Sequence, residues 1–395
     1  GMLHAFTSHV FDQATASFSP PASAPATEKM GTELWAYIPS NLLPHLKWLP
    51  RQDYSHVYYV DMQPRIFDAR IFFKTDGFGN QVVDDNTKHP NGWGTVLIGG
   101  FNIGGGRIEV TDYFHDGSNY NYQSKTFKPS FFAIDITDPR NPQLLWEKTY
   151  ENLGMSSVYP AVMRLGPNAS SPGTDFADDP GAWYAVLGSG PDAGGRGTST
   201  LPQYGGHSTV PGYVYMVDIR TGEPVKSGAA PGNDWLFETA DDNAFIGPPV
   251  SFDKNLNYNT DAAYIPITYD DNGNFGNHDW KGAIYKVTVP WTGLPPTGAE
   301  AKSNYGNVVA APYSDNPLGT TNMFGVTTGA WQFHKMFDSP RPITAAPALS
   351  IDHLNNTWVY FGTGRMFDGA DDPNADVGST ESECVFGVNG AFVGV

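Results

Sequence analysis

The chain has 395 residues, carries a formal net charge of −18 with a pI near 4.7, and contains a single cysteine, Cys384. That balance argues against a nucleic-acid partner, because phosphate contacts need lysine and arginine in excess, and one cysteine excludes an internal disulfide or a cysteine metal cluster. With 44 glycines and 32 prolines scattered through the chain and 14% aromatic residues, long helices are disfavoured and half-buried strands favoured: the composition is that of an all-β protein.

In chain order, Gly1-Met2-Leu3-His4 lacks the basic and apolar regions of a signal peptide. The chain therefore reads as a fragment of a larger exported protein, its export signal lying elsewhere. Met2–Phe6 is expected to be a strand that closes the molecule by pairing with the last repeat. Thr15–Lys29 is rich in Ala, Ser and Pro and reads as a surface loop. After Glu33–Pro39, Ser40 stands as an N-cap ahead of Leu42, Leu43, Leu46 and Leu49, which predicts a short flanking helix. No apolar run approaches the roughly 20 residues of a spanning helix.

A degenerate unit then recurs: strand, apolar strand ending in glycine, polar hairpin, strand. One copy holds Gly92–Gly100, Ser130–Pro139 and Gln143–Glu147. The next holds Tyr159–Val162, Ala182–Gly190 and Gly212–Gly222. A third holds Gly247–Phe252, Asp261–Tyr269 and Gly282–Pro290, and a fourth Ala345–Asp352, Thr357–Gly364 and Cys384–Gly390. Modules of this kind bury one another by radial packing, so residues 1–395 are expected to form a single β-propeller with long hairpin insertions at Gly194–Gly206 and Asp270–Asp279. A stacked sandwich is the structural alternative, and the copies do not fix a blade number.

The best chemical motif is Asp253-Lys-Asn-Leu-Asn-Tyr-Asn-Thr-Asp261, with oxygen side chains at positions 1, 3, 5, 7 and 9 between two expected strands. Calcium takes six to eight hard oxygen ligands, and alternating Asp and Asn wrap a tight loop around it. Asp253, Asn255, Asn257 and Asp261 would offer side chains and Asn259 its main-chain carbonyl. Tyr258 stands where such loops favour glycine, Tyr264 where they use a bidentate glutamate, and only two carboxylates are present, so modest affinity is expected. The competing reading is an Asn-rich turn that caps its own backbone. Asp270–Asn274 and Asp368–Asp376 are acidic too, but read as solvated turns. Catalytic signatures are absent: there is no Gly-x-Ser-x-Gly, His-Glu-x-x-His or Walker loop, and neither Gly104–Arg107 nor Gly194–Arg196 opens an expected helix.

Taken together, Gly1–Phe6, Glu33–Leu46, His56–Ala69, Trp93–Arg107, Phe131–Glu147, Phe361–Arg365 and Phe386–Gly390 resemble, in order and spacing, the propeller domain of the PilY family of type IV pilus biogenesis and tip proteins. The resemblance implies a modified seven-bladed propeller and one calcium (Ca2+) site, which falls on Asp253, Asn255, Asn257, Asn259 and Asp261. It also implies a non-enzymatic factor, exported through the periplasm to the cell surface, pilus tip or outer membrane, that modulates pilus extension, retraction and adhesion. Its expected partners are pilin or minor pilins and host or abiotic surfaces. The Arg-Gly-Asp motif found in some members is not matched, since this chain has Arg196-Gly197-Thr198. Two alternatives stand beside this one: a metal-free adhesive scaffold, and a quinoprotein dehydrogenase. The latter's repeat strings are approached by Ala133-Ile134-Asp135 with Trp146 and by Val217–Gly222, although one cysteine cannot make the vicinal pair such enzymes place over the quinone.

Overall fold

The computed structural model describes residues 1–165, 182–191, 208–225, 234–254, 256, 259–272, 279–289, 320–321, 327–328 and 330–364, apart from 23, 26, 55, 79, 80 and 116. These residues are all-β, as composition predicts, with three antiparallel sheets laid down one after another. The first orders Arg65–Arg70, Trp93–Gly100, Phe131–Asp135 and Gln143–Lys148. The second orders Ala161–Leu165, Ala182–Gly188, Tyr213–Asp218 and Phe237–Glu238. In the third, Ala244–Ile246 and Val250–Phe252 both pair with Ala262–Asp270, which is followed by Trp280–Thr288 and Gln332–Ser339. A further pair, Ala348–Ile351 with Thr357–Tyr360, follows. The strands of the first three expected copies thus fall into one sheet per copy. Cys384–Gly390 and the insertion Gly194–Gly206 lie outside the described residues.

Strands covered on both faces lose their polar alternation. Phe131–Asp135 and the whole of Ala262–Asp270 are buried throughout. One apolar core runs through all three sheets, from Ile98 and Phe131 through Val186 and Met216 to Ile265 and Tyr285. The first two sheets are also fastened at a defined point. Trp146 Nε1–H donates to the Ile219 carbonyl at 2.9 Å, and the Tyr150 hydroxyl donates to the Gly222 carbonyl at 3.0 Å. Gly222 has φ +67°, and a Cβ there would lie 2.5 Å from the Trp146 ring, so the turn admits only glycine at that spot. Asp218 shapes this turn by accepting from the Thr221 N–H and hydroxyl at 2.8 and 2.9 Å, and Asp135 does the same with Thr137 at 3.0 and 2.6 Å. The strings that resemble quinoprotein repeats therefore shape turns and join sheets.

Three local expectations change. The flanking helix, Ser40–Trp48, is a 3-10 helix rather than an α-helix. Pro44 inside it has no N–H to give, and the three-residue period turns Leu42 and His45 inward while Leu43 and Leu49 remain about half exposed. Its cap is not Ser40, since Pro39 holds the N-cap position without a side-chain bond. Instead the Glu147 carboxylate accepts the N–H groups of Ser40 and Asn41 at 2.7 and 2.9 Å. Leu3–Phe6 pairs with Glu33–Tyr37, not with a last repeat, whose outgoing strand is outside the described residues. The segment expected to be a surface loop begins as the second arm of a hairpin, Val10–Asp12 with Ser17–Ser19, whose Phe11 and Phe18 meet across the strands.

Candidate metal site

The Asp253–Asp261 loop closes on itself at its base. Phe252 pairs with Ala262, and the Asp261 N–H donates to the Phe252 carbonyl at 2.9 Å. On the other side, the Val289 N–H donates to the Asp261 carbonyl at 3.0 Å, so the Asp261 main chain is held by both neighbouring strands. Its side chain turns back into the loop, where Oδ2 accepts the Lys254 N–H at 2.6 Å. Exposed Leu256 takes a left-handed φ of +58°. That is a backbone conformation glycine adopts without steric cost.

The far arm of the loop is strapped to the second sheet. Thr260 N–H donates to the Arg164 carbonyl at 2.8 Å, and Arg164 N–H donates to Thr260 Oγ1 at 3.2 Å. Arg164 Nη1 lies 3.4 Å from the Asn259 side-chain oxygen, and Asn259 is only 3% exposed. The side chain of Asn259 thus faces the neighbouring sheet, so only its main-chain carbonyl is left as a loop ligand. Asp253 and Asp261 stand at the two ends of the loop, while Asn255 and Asn257 lie outside the described residues.

Sequence reasoning missed Arg164, which sits 95 residues from Asn259 and has no signal in the local motif. Tyr264 is committed elsewhere: it is 3% exposed and packs with Phe252 and Ile284. A loop lacking the twelfth-position glutamate has to close within its own Asp and Asn residues. Burial first, then Asp261, pushes the Tyr264 phenol above its ordinary range. Burial first, and Lys254 second, depress the Lys286 amine, with Asp261 offsetting in part. The field around Asp261 is therefore mixed rather than uniformly acidic. Among the described residues no three His, Cys, Asp or Glu side chains gather into a metal-binding group. A cation here would rest on the Asp253 and Asp261 carboxylates, with amide and main-chain oxygens completing the shell.

The second acidic loop is capped at its described base by its own Asp270. Asp270 Oδ1 accepts from the Asn272 and Asp279 N–H groups at 3.2 and 2.9 Å, and Lys281 pairs with both Asp271 and Asp279. Asp368–Asp376 and Arg196–Thr198 are outside the described residues. The first glycine run is a packing feature, since a Cβ on Gly104 would lie 2.0 Å from the Tyr59 carbonyl oxygen. No helix among the described residues is long and apolar enough to cross a membrane.

No protein-family model matches the chain. It is 23% identical over 385 residues to a type IV pilus biogenesis factor PilY1 homolog of Xylella fastidiosa, covering 96% of this chain and 20% of that protein. It is 25% identical over 368 residues to the type IV pilus biogenesis factor PilY1 of Pseudomonas aeruginosa, covering 91% of this chain and 23% of that protein. PilY1 of another Pseudomonas aeruginosa strain is 29% identical over 358 residues, covering 88% of this chain and 23% of the relative. The crystal structure of the Pseudomonas aeruginosa PilY1 C-terminal domain aligns at TM-score 0.41 and 21% identity, over 94% of this chain and 54% of that one. The chain spans about a fifth of the length of the curated relatives it matches. Those homologues bear out the resemblance that the ordered sequence motifs carry: across nearly its full length, this chain is related to the PilY1 type IV pilus biogenesis factors.

Proposed function

We infer that this chain is the propeller portion of a non-enzymatic type IV pilus biogenesis factor. In this reading it is exported and held at the pilus tip or cell surface in contact with pilin or minor pilins. Residues 1–395 form one propeller, to which the three successive sheets and the Trp146–Gly222 fastening contribute as neighbouring blades. The Asp253–Asp261 loop binds calcium, and its occupancy biases the balance of pilus extension and retraction and surface adhesion. Relatedness to PilY1 proteins over 96% of the chain carries the assignment to the pilus. Support for a conformational output comes from the strap of Thr260 and Asn259 onto Arg164: a cation that tightens the loop pulls on the seam between the second and third sheets.

The test is made in cells. Asp261→Ala placed in the full-length parent protein should leave secretion intact and change surface pilus number and twitching-zone diameter at least twofold. Unchanged piliation and twitching at normal protein levels would remove the regulatory role.

A further inference from the structure

At one end of the first sheet two adjacent strands and the turn after a third form an open dish of about 370 Å³, lined by Asp68, Trp93, Gly94, Thr95 and Thr137. Cross-strand register places Asp68 directly beside Thr95. Trp93 forms the wall: it meets Trp183 at a near right angle, with centroids 5.8 Å apart, and stays 43% exposed. Gly94 keeps the floor low, because a Cβ there would come within 2.3 Å of Phe72 and 2.6 Å of Thr137 Oγ1.

The hydrogen-bond inventory of the dish selects its ligand. The Thr95 hydroxyl donates to Asp68 Oδ1 at 2.7 Å, and the Thr137 hydroxyl donates to buried Asp135 at 2.6 Å. The Thr95 N–H is also committed, donating to Thr137 Oγ1 at 2.9 Å. The side-chain donors are thereby used up except for the Trp93 indole, while Asp68 is exposed. Asp135 behind the floor pairs with Lys88 at 2.7 Å and hydrogen-bonds with His89 Nε2 at 2.9 Å, but among the described residues Asp68 makes no ion pair. The lining contains neither lysine nor arginine; Arg70, opposite Trp93 in the register, is buried, with its Nε–H donating to the Asn91 carbonyl at 2.9 Å and its guanidinium over the Phe73 ring. A site rich in acceptors, poor in donors and walled by an indole suits a ligand with donors only. A sugar needs both kinds of partner, and an anion is repelled.

From this we propose that the dish binds a primary ammonium group, the side chain of a lysine on a partner protein, held between the Trp93 ring and the Asp68 carboxylate. An indole face attracts a cation through its quadrupole, and a carboxylate beside it supplies the charge-assisted bond. A net charge of −18 favours a basic partner by steering it in. None of its lining residues belongs to the Asp253–Asp261 loop.

The experiment follows the Trp93 indole N–H resonance, assigned by its loss in Trp93→Phe, during titration with N-acetyl-lysine methylamide. The norleucine analogue, which lacks the charge, and methyl glucoside serve as controls. The lysine probe alone should shift the resonance, saturably, and with affinity that falls as salt rises. Asp68→Asn, which keeps an acceptor for Thr95, should weaken binding about tenfold with the melting temperature unchanged. Equal shifts with norleucine, a shift with the glucoside, no shift with lysine, or full affinity in Asp68→Asn would each overturn the assignment.

Discussion

Glu147 receives more hydrogen bonds than its place on an outer strand suggests. Besides the two helix N–H groups, its carboxylate accepts from the Asn41 amide at 2.9 Å, the Ser130 hydroxyl at 3.1 Å and the Tyr37 hydroxyl at 3.3 Å. Burial alone raises a carboxyl pKa, and here the donors from Asn41 and Ser40 outweigh it, so the group is held below its ordinary value. A carboxyl depressed on folding adds stability at pH values above its unfolded pKa of about 4.3. That contribution disappears as pH falls through the lower folded value. Glu147→Ala strands several donors and is expected to cost about 1–3 kcal/mol at neutral pH, nearer the lower figure where water reaches them. Below pH 4 the gap between wild type and variant should narrow. Denaturant unfolding at pH 7 and pH 3.5 checks both statements; a pH-independent difference would mean that the carboxylate charge is irrelevant.

Arg164 is the residue through which the loop touches its neighbour. Its main-chain bonds to Thr260 survive substitution, whereas the guanidinium contact to Asn259 does not. Arg164→Ala should therefore leave the fold intact and lower calcium affinity by several-fold rather than abolish it, because Asn259 loses its orientation but no carboxylate is removed. Calorimetric titration of the purified variant measures this, and an affinity equal to wild type would detach the strap from the site.

Among the elements, the seam between the first two sheets has its own fastener. Truncating Trp146 removes a buried indole, its bond to Ile219 and its packing on Gly222, so Trp146→Ala is expected to cost about 3–5 kcal/mol. Gly222→Ala meets the same ring from the other side and adds the strain of a positive φ, so it should also destabilise, by about 1–3 kcal/mol. Each is read from urea unfolding midpoints. The pair should be strongly non-additive, since either change alone already breaks the contact.

Such elements were legible where the pattern is local. Trp93–Gly100, Phe131–Asp135, Ala182–Gly188, Tyr213–Asp218 and Ala262–Asp270 announce themselves as apolar runs ending at glycine or aspartate. The helix lies where leucine spacing places it but with a different period, because that spacing suggests 3.6 residues per turn while Pro44 and a remote carboxylate favour three. The exposed hairpin Ile108–His115 with Tyr120–Phe127 falls where the repeat places its polar hairpin, but its arms have no bounds in the sequence reading. Asp116-Gly117 between β-prone arms marks the turn, but with almost no buried residue the arms carry no apolar alternation to delimit them. Likewise Asp253 and Asp261 were legible as ligand-type residues, whereas the second-sheet arginine that positions Asn259 was not, because no local spacing encodes a contact across 95 residues.

At the level of the whole molecule, three meanders share one core and the loop is wedged between two of them. Apolar burial on this scale holds the fold without a metal, so losing the loop's chemistry should not unfold the chain. On the proposed reading, calcium would be a ligand of the native state alone and would raise apparent stability only by mass action. Chelator should accordingly lower the melting temperature of wild type by a few degrees at most, with Asp261→Ala insensitive to it.

The central claim is most directly tested by titrating calcium into the purified, chelator-treated chain in a calorimeter, beside Asp261→Ala. Wild type should bind one equivalent, with an affinity in the micromolar-to-millimolar range expected of a loop with two carboxylates. The variant, equally folded by circular dichroism, should show no heat above dilution. Equal binding in both proteins, or none in wild type, would contradict the account.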